Sequence, residues 1–151
     1  MFHLARRFGR HITATPLSPG EQQEVADSLT PELGIIFFSQ TPADQRHALD
    51  VARSAAGGSD VTEAALLHDV GKVVSDLGPY QRSLATVWSY TSLPVWGAWR
   101  DYLDHGGIGA DMLAEAGAGE LSVAFARCHP GAVPSGVDAA SWATLAEADD
   151  A

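Results

Sequence analysis

The chain of 151 residues is short of cysteine, lysine and positive charge, and each shortage removes a class of explanation. Its one cysteine, Cys128, has no partner for an internal disulfide, so nothing in the sequence asks for an oxidising compartment. Basic residues number 9 against 19 acidic ones, for a formal charge of −10. Extended nucleic acid is therefore disfavoured as a partner, because a phosphate backbone needs a basic face. No apolar run approaches the ~18 residues that would cross a bilayer. The stretch "HITATPLSPG" follows Arg6, Arg7 and Arg10 where a secretory leader would place its apolar segment. The expectation is a protein without a membrane partner, with the cytoplasm as its simplest location. Internal repeats and low-complexity linkers are missing as well.

What is present is a helical pattern. Apolar residues make up 46% of the chain, ample for a core of ordinary size, and they recur with a helical rather than an alternating period. The expected fold is all-α, a compact helical bundle. Ser18 before Pro19 and Thr41 before Pro42 combine a capping side chain with proline at the first helical position, so a helix should open at each. Pro31 opens a short apolar piece, "PELGIIFF", that should plug the core. Gly57–Gly58 should end the helix begun at Thr41, Asp60 or Thr62 should cap the next, and Gly71 should stop it. Further helices are expected after His105, over "AGELSVAFARC" up to His129, and over "VDAASWATLAEADD". Phe2, Leu4, Ala5, Phe8 and Ile12 share one stripe of an N-terminal amphipathic helix. "GPYQRSLATVWSYTSLPVWGAWRDYL" reads as two helices broken near Pro94, whose Trp and Tyr residues wall a cleft or pack in the core. The chain divides into an N-terminal helical extension over 1–40 that packs on the core, and a main domain over 41–151.

Polar residues at apolar helix ends stand out against this pattern. "ALLHDVGK", residues 65–72, closes an apolar run with His68 and Asp69, two groups that are costly to bury unless something pairs with them. His47, His105 and His129 belong to other expected helices, and Asp149 falls in the last turn of the final one. Each has an ordinary reading taken alone: a hydrogen-bonded core imidazole, a capping or paired carboxylate, a surface acid. Taken together, four imidazoles and two carboxylates are explained at once by a metal centre, in which a cation neutralises acid and uses imidazole lone pairs. Successive helical residues lie about 100° apart, so His68 and Asp69 diverge enough to serve two ions, or one ion and a base. An imidazole-rich set favours one or two divalent transition ions (iron, manganese, zinc, cobalt or nickel) over magnesium or calcium, which prefer oxygen shells. His3 and His11 fit no such pattern.

"HALDVA" at 47–52, "ALLHDVGK" at 65–72 and "LAEAD" at 145–149 resemble the ordered H, HD, D signature of the HD-domain superfamily of metal-dependent phosphohydrolases, with "HDVGK" the most specific piece. The resemblance spans about residues 41–150 and implies an HD-domain helical fold in which His47, His68, Asp69 and Asp149 bind a first metal ion. Asp150 is a rival for the last position. His105 and His129 match the two extra histidines of binuclear members, where the aspartate of the HD pair bridges the ions. The resemblance also implies hydrolysis of a phosphomonoester or phosphodiester, on a small phosphorylated or nucleotide-type substrate, by metal-activated water. Asp69 and Lys72 would be the catalytic residues. Lys72, the only lysine in the chain, is either a contact to substrate phosphate or a charge at a helix end. Arg46, Arg82 and Arg100 are weaker candidates for phosphate contacts, since exposed helical arginines are usually just solvated.

Departures from known branches narrow the expectation. "PGAVPSG" after His129 lacks the HHE and GYP elements of cyclic-di-GMP phosphodiesterases, and "HDVGKVVSD" lacks the glutamate–aspartate pair of guanosine tetraphosphate hydrolases. "HGGIGADML" is similar to HD hydrolases that split diadenosine tetraphosphate symmetrically, although the segment is generic. Alternatives are an HD-type di-iron oxygenase, which shares much of the ligand set, and a non-catalytic sensor or binding module.

Overall fold

In a computed structural model of the chain, the residues described are 15–74 and 105–151, with Val74 and His105 described by their backbone alone. These residues are all-helical: α1 Pro19–Ser28, α2 Pro31–Phe38, α3 Pro42–Ser54, α4 Ser59–Leu67, a 3-10 helix Val70–Val74, α5 His105–Glu115, α6 Glu120–Cys128 and α7 Ala139–Asp150. The expected N-terminal stripe, His3, His11, the aromatic segment near Pro94, and Arg82 and Arg100 lie outside the described residues.

The first three helices begin where side-chain caps and prolines demand. Ser18, Thr30 and Thr41 each accept a hydrogen bond from a backbone N–H of the first turn, with proline next in sequence. Such caps contribute about 1 kcal/mol each. At Ser18 the cap is reciprocal, because the Glu21 carboxylate accepts the Ser18 N–H at 2.9 Å. Helix α4 departs from expectation at both ends. It opens at Ser59 after Gly58, with no side-chain cap, and the Thr62 hydroxyl is spent donating to the Gly58 carbonyl. It ends at Leu67 rather than running to Gly71: the chain tightens, the Lys72 N–H reaches the Asp69 carbonyl three residues back, and Gly71 lies inside the 3-10 helix. Helix α3 likewise stops at Ser54, ahead of Gly57–Gly58, because Ala55 turns to an extended conformation.

Two apolar clusters hold the helices. Leu17, Val25, Leu33 and Phe37 from the N-terminal part pack with Leu49, Leu66, Leu67, Val70 and Leu113. Val51, Val61, Ala64 and Ala65 pack with Phe125, Trp142 and Leu145. Each fully buried Leu or Phe contributes about 1.5–3 kcal/mol. Consecutive residues of α4 serve both clusters, Ala64 and Ala65 one and Leu66 and Leu67 the other, which makes α4 the central helix. Its C-terminal end is therefore fixed on two sides.

Helix α5 approaches its neighbours through glycine. A Cβ on Gly109 would meet the Gly71 nitrogen at 2.9 Å, and one on Gly106 would meet the Ala126 carbonyl oxygen at 2.7 Å. Both contacts are with backbone that cannot swing aside. The glycines of "HGGIG" thus let α5 lie against the 3-10 helix and α6, and this brings the start of α5, at His105, to the C-terminal half of α6.

Candidate metal centre

The C-terminal ends of α4, α6 and α7 meet at one place, facing the side of α3 that carries His47. His68 is the residue following α4, His129 the residue following α6, and Asp149 lies in the last turn of α7. Carbonyl groups left without helical partners give these ends partial negative charge, so the location favours cations before any side chain is considered. Two carboxylates placed there compound the demand.

Asp149 is the hub. Its Oδ1 accepts from His47 Nε2 at 2.9 Å and its Oδ2 from His129 Nε2 at 3.1 Å, while His68 Nε2 lies 3.4 Å from Oδ1. Because a carboxylate only accepts, the two hydrogen-bonded imidazoles carry their protons on Nε2. His68 is fixed differently: its Nδ1–H donates to the Ala65 carbonyl at 2.8 Å, which aims Nε2 inward. That Nε2 lies 3.4 Å from Asp69 Oδ2 as well as from Asp149, buried, and meets hydrogen-bond geometry with neither. The side chains of His68, Asp69 and Asp149 are only 4%, 8% and 6% exposed, so water does not make good the deficit.

Electrostatics follow from this crowding. Burial acts to lower the pKa of His68, but Asp69 and Asp149 outweigh it and raise the imidazole to about 10. Burial likewise acts to raise Asp149, and the hydrogen bonds from His129 and His47, with the His68 ring close by, overcome it, holding the carboxyl far below its ordinary range.

The donor set fits such an ion. Ligand atoms of His47, His68 and Asp69 all lie within 4.8 Å of one another. Tetrahedral ligands at ordinary zinc–nitrogen distances sit about 3.4 Å apart, and His68 Nε2 stands at that separation, 3.4 Å, from both Asp69 Oδ2 and Asp149 Oδ1. The orphaned inward lone-pair position on His68 is what a metal would use. The cluster could hold a metal ion.

Phe125 is a residue that sequence reasoning missed. Fully buried, it stacks on the His129 ring at 4.4 Å, meets His68 edge-on at 6.3 Å and Trp142 at 5.0 Å. It joins the imidazoles to the apolar cluster and fixes two rings at once. Its only sequence signal is its position one turn before His129.

The remaining expected residues divide. Asp149 rather than Asp150 faces the cluster, since Asp150 is exposed. His129 joins the set; the His105 side chain lies outside the described residues. Lys72 is ion-paired with Asp69 Oδ2. Arg46 is not presented to a substrate. Its guanidinium grips both oxygens of Glu21, at 2.6 and 2.8 Å, and donates to the Thr15 and Pro16 carbonyls, tying α3 to α1 beside a parallel Arg53–Glu24 pair. Neighbouring positions on α3 point about 100° apart, so Arg46 faces α1 while His47 faces the cluster.

A cleft of about 460 Å³ lies elsewhere, lined by Ser59, Asp60, Glu63, Gly119, Ser122 and Asp138 among others. None of the histidines or of the candidate ligands lines it. Among the described residues no helix is long and apolar enough to cross a membrane. Comparison with known protein families, with curated proteins and with solved structures finds no match to this chain.

Proposed function

We propose that the protein is a metal-dependent phosphohydrolase that cleaves a phosphomonoester or phosphodiester of a small phosphorylated or nucleotide-type substrate. The observation that carries the reading is the convergence of His47, His68, Asp69, His129 and Asp149 from four helices onto a site that has more buried donors and acceptors than hydrogen bonds. The H, HD, D order of these residues, and "HDVGK" in particular, supports the choice of chemistry.

His47, His68, Asp69 and Asp149 would hold one divalent transition ion, and His129 with His105 a second. Bound there, such ions supply Lewis-acid polarisation of a phosphoryl oxygen and a water acidic enough to ionise near neutral pH. Ala65, through its carbonyl, keeps the His68 ring turned inward, and Phe125 keeps water from the back of the His68 and His129 rings. Lys72, one turn beyond the pair, supplies the positive charge that orients a substrate phosphate.

The test is elemental analysis of protein purified without chelator or metal-binding tag, followed by a phosphoester and nucleotide panel with Mn, Fe, Co, Ni, Zn and Mg. The expected result is phosphate release that EDTA abolishes and Asp69→Asn removes. Retained metal with no hydrolysis of any phosphoester rejects the hydrolase. Retained iron with dioxygen uptake instead assigns the site to an oxygenase.

A further inference from the structure

Asp69 is a carboxylate of the cluster that a fixed-charge side chain holds. Its Oδ2 carries the Lys72 ammonium and faces His68 Nε2 at 3.4 Å. Lys72 reaches it because the chain leaves α-helix after Leu67: the Lys72 N–H donates to the Asp69 carbonyl three residues back, and this tighter turn sets Lys72 above Asp69. The Lys72 side chain is 16% exposed, so its charge is largely desolvated and its attachment to Asp69 is correspondingly strong.

The geometry sets this ammonium against any ion that the site would take. Asp69 Oδ2, 3.4 Å from His68 Nε2, is the carboxylate oxygen a cation shared with His68 would use, and the Lys72 ammonium stands on that same oxygen. A cation seated there displaces the ammonium from it.

We infer that Lys72 is a placeholder for the metal: its ammonium occupies Asp69 in the metal-free protein, competes with a divalent cation for that carboxylate, and is released toward a substrate anion when the cation binds. The inference deepens the hydrolase reading and rests on it, because it makes the phosphate-binding charge available only in the metal-loaded protein. It also reconciles the two roles the sequence leaves open for Lys72.

The lysine is unique in the chain, which makes the test direct. Full-length protein stripped with EDTA is titrated calorimetrically with Mn2+ as wild type, Lys72→Met and Lys72→Arg. Losing a desolvated charge-assisted competitor should tighten Mn2+ binding about tenfold in Lys72→Met, while Lys72→Arg, which keeps the charge, retains wild-type affinity. In parallel, acetylation of Lys72 by an amine-reactive ester, followed by peptide mass mapping, should run several-fold faster with Mn2+ than without. A lysine that serves only the helix end would lower the melting temperature in Lys72→Met and move neither readout. Equal or weaker Mn2+ binding in Lys72→Met, or unchanged labelling, overturns the placeholder while leaving the metal site standing. If neither wild type nor variant binds Mn2+ or, titrated separately, Zn2+, the metal site itself falls, and the placeholder with it. Should Lys72→Met fail to fold, Lys72→Gln and wild-type labelling decide the matter.

Discussion

Helices α4, α6 and α7 start around one cleft and end around one cluster, and the two ends treat acidic residues in opposite ways. At the N-terminal end Glu63 and Asp138 are held by donors of the helix starts. Glu63 Oε1 accepts from the Gly119 N–H at 2.8 Å and the Ser122 hydroxyl at 2.7 Å, and Asp138 accepts from the Ser141 N–H at 2.7 Å. Free N–H groups and the positive end of the helix dipole make carboxylates welcome there. At the C-terminal end Asp69 and Asp149 sit where the helices present carbonyls, so side chains must hold them: imidazole N–H groups on Asp149 and the Lys72 ammonium on Asp69. An acid at a helix start explains itself. Acids buried at helix ends call for a cation, and the excess of inward-facing nitrogen and oxygen there is what makes this end a candidate metal centre.

The comparison breaks most visibly under substitution of the C-terminal cluster. His68→Ala and Asp149→Ala should each lower metal affinity at least about hundredfold, beyond the effect typical of residues that only orient a ligand. Inductively coupled plasma analysis of the purified variants should show little metal left, while Asp138→Ala retains the wild-type content. Full retention in His68→Ala and Asp149→Ala would erase the difference between the two ends.

A smaller effect is expected at the opposite end. Glu63→Ala removes two hydrogen bonds that join α4 to the start of α6, at a cost of about 1–3 kcal/mol, readable in urea melts. Metal content should not change, since Glu63 lies outside the cluster. If metal and stability fall together, the two ends are coupled through α4 more tightly than their separate hydrogen bonds suggest.

The smallest change belongs to Asp138, whose carboxyl is held below its ordinary value chiefly by the Ser141 backbone N–H. A lowered folded pKa stabilises the protein above the unfolded value of 3.8, and the contribution is lost as pH falls through the folded value. Asp138→Ala should therefore lower the melting temperature slightly at neutral pH, and the gap from wild type should close in acid. A gap that persists at low pH would make the cap's effect one of packing rather than charge.

Much of the fold is legible in the residues themselves. Ser18–Pro19, Thr30–Pro31 and Thr41–Pro42 specify helix starts through local hydrogen bonds and a fixed φ, and all three helices begin there. The end of α4 is not legible in this way. A glycine at 71 looks like a stop, yet the helix has already tightened at Leu67, where the packing of Val70 and the close approach of Gly109 set the path of the chain. The same contrast holds in the cluster: His68 and Asp69 announce themselves at the end of an apolar run, whereas Phe125 looks like any other core residue.

By itself the sequence determined the residue types available for chemistry, the helical period that separates Arg46 from His47, and the capped starts of the early helices, because each depends on atoms within a turn of one another. Only the tertiary structure decided that Asp149 and not Asp150 faces the imidazoles, and that Arg46 is committed to Glu21. Those outcomes depend on the mutual placement of helices up to about a hundred residues apart in sequence, as in the 102-residue span from His47 to Asp149. Burial against α4 and Phe125 sets that placement, and with it which charges are left for a cation to answer.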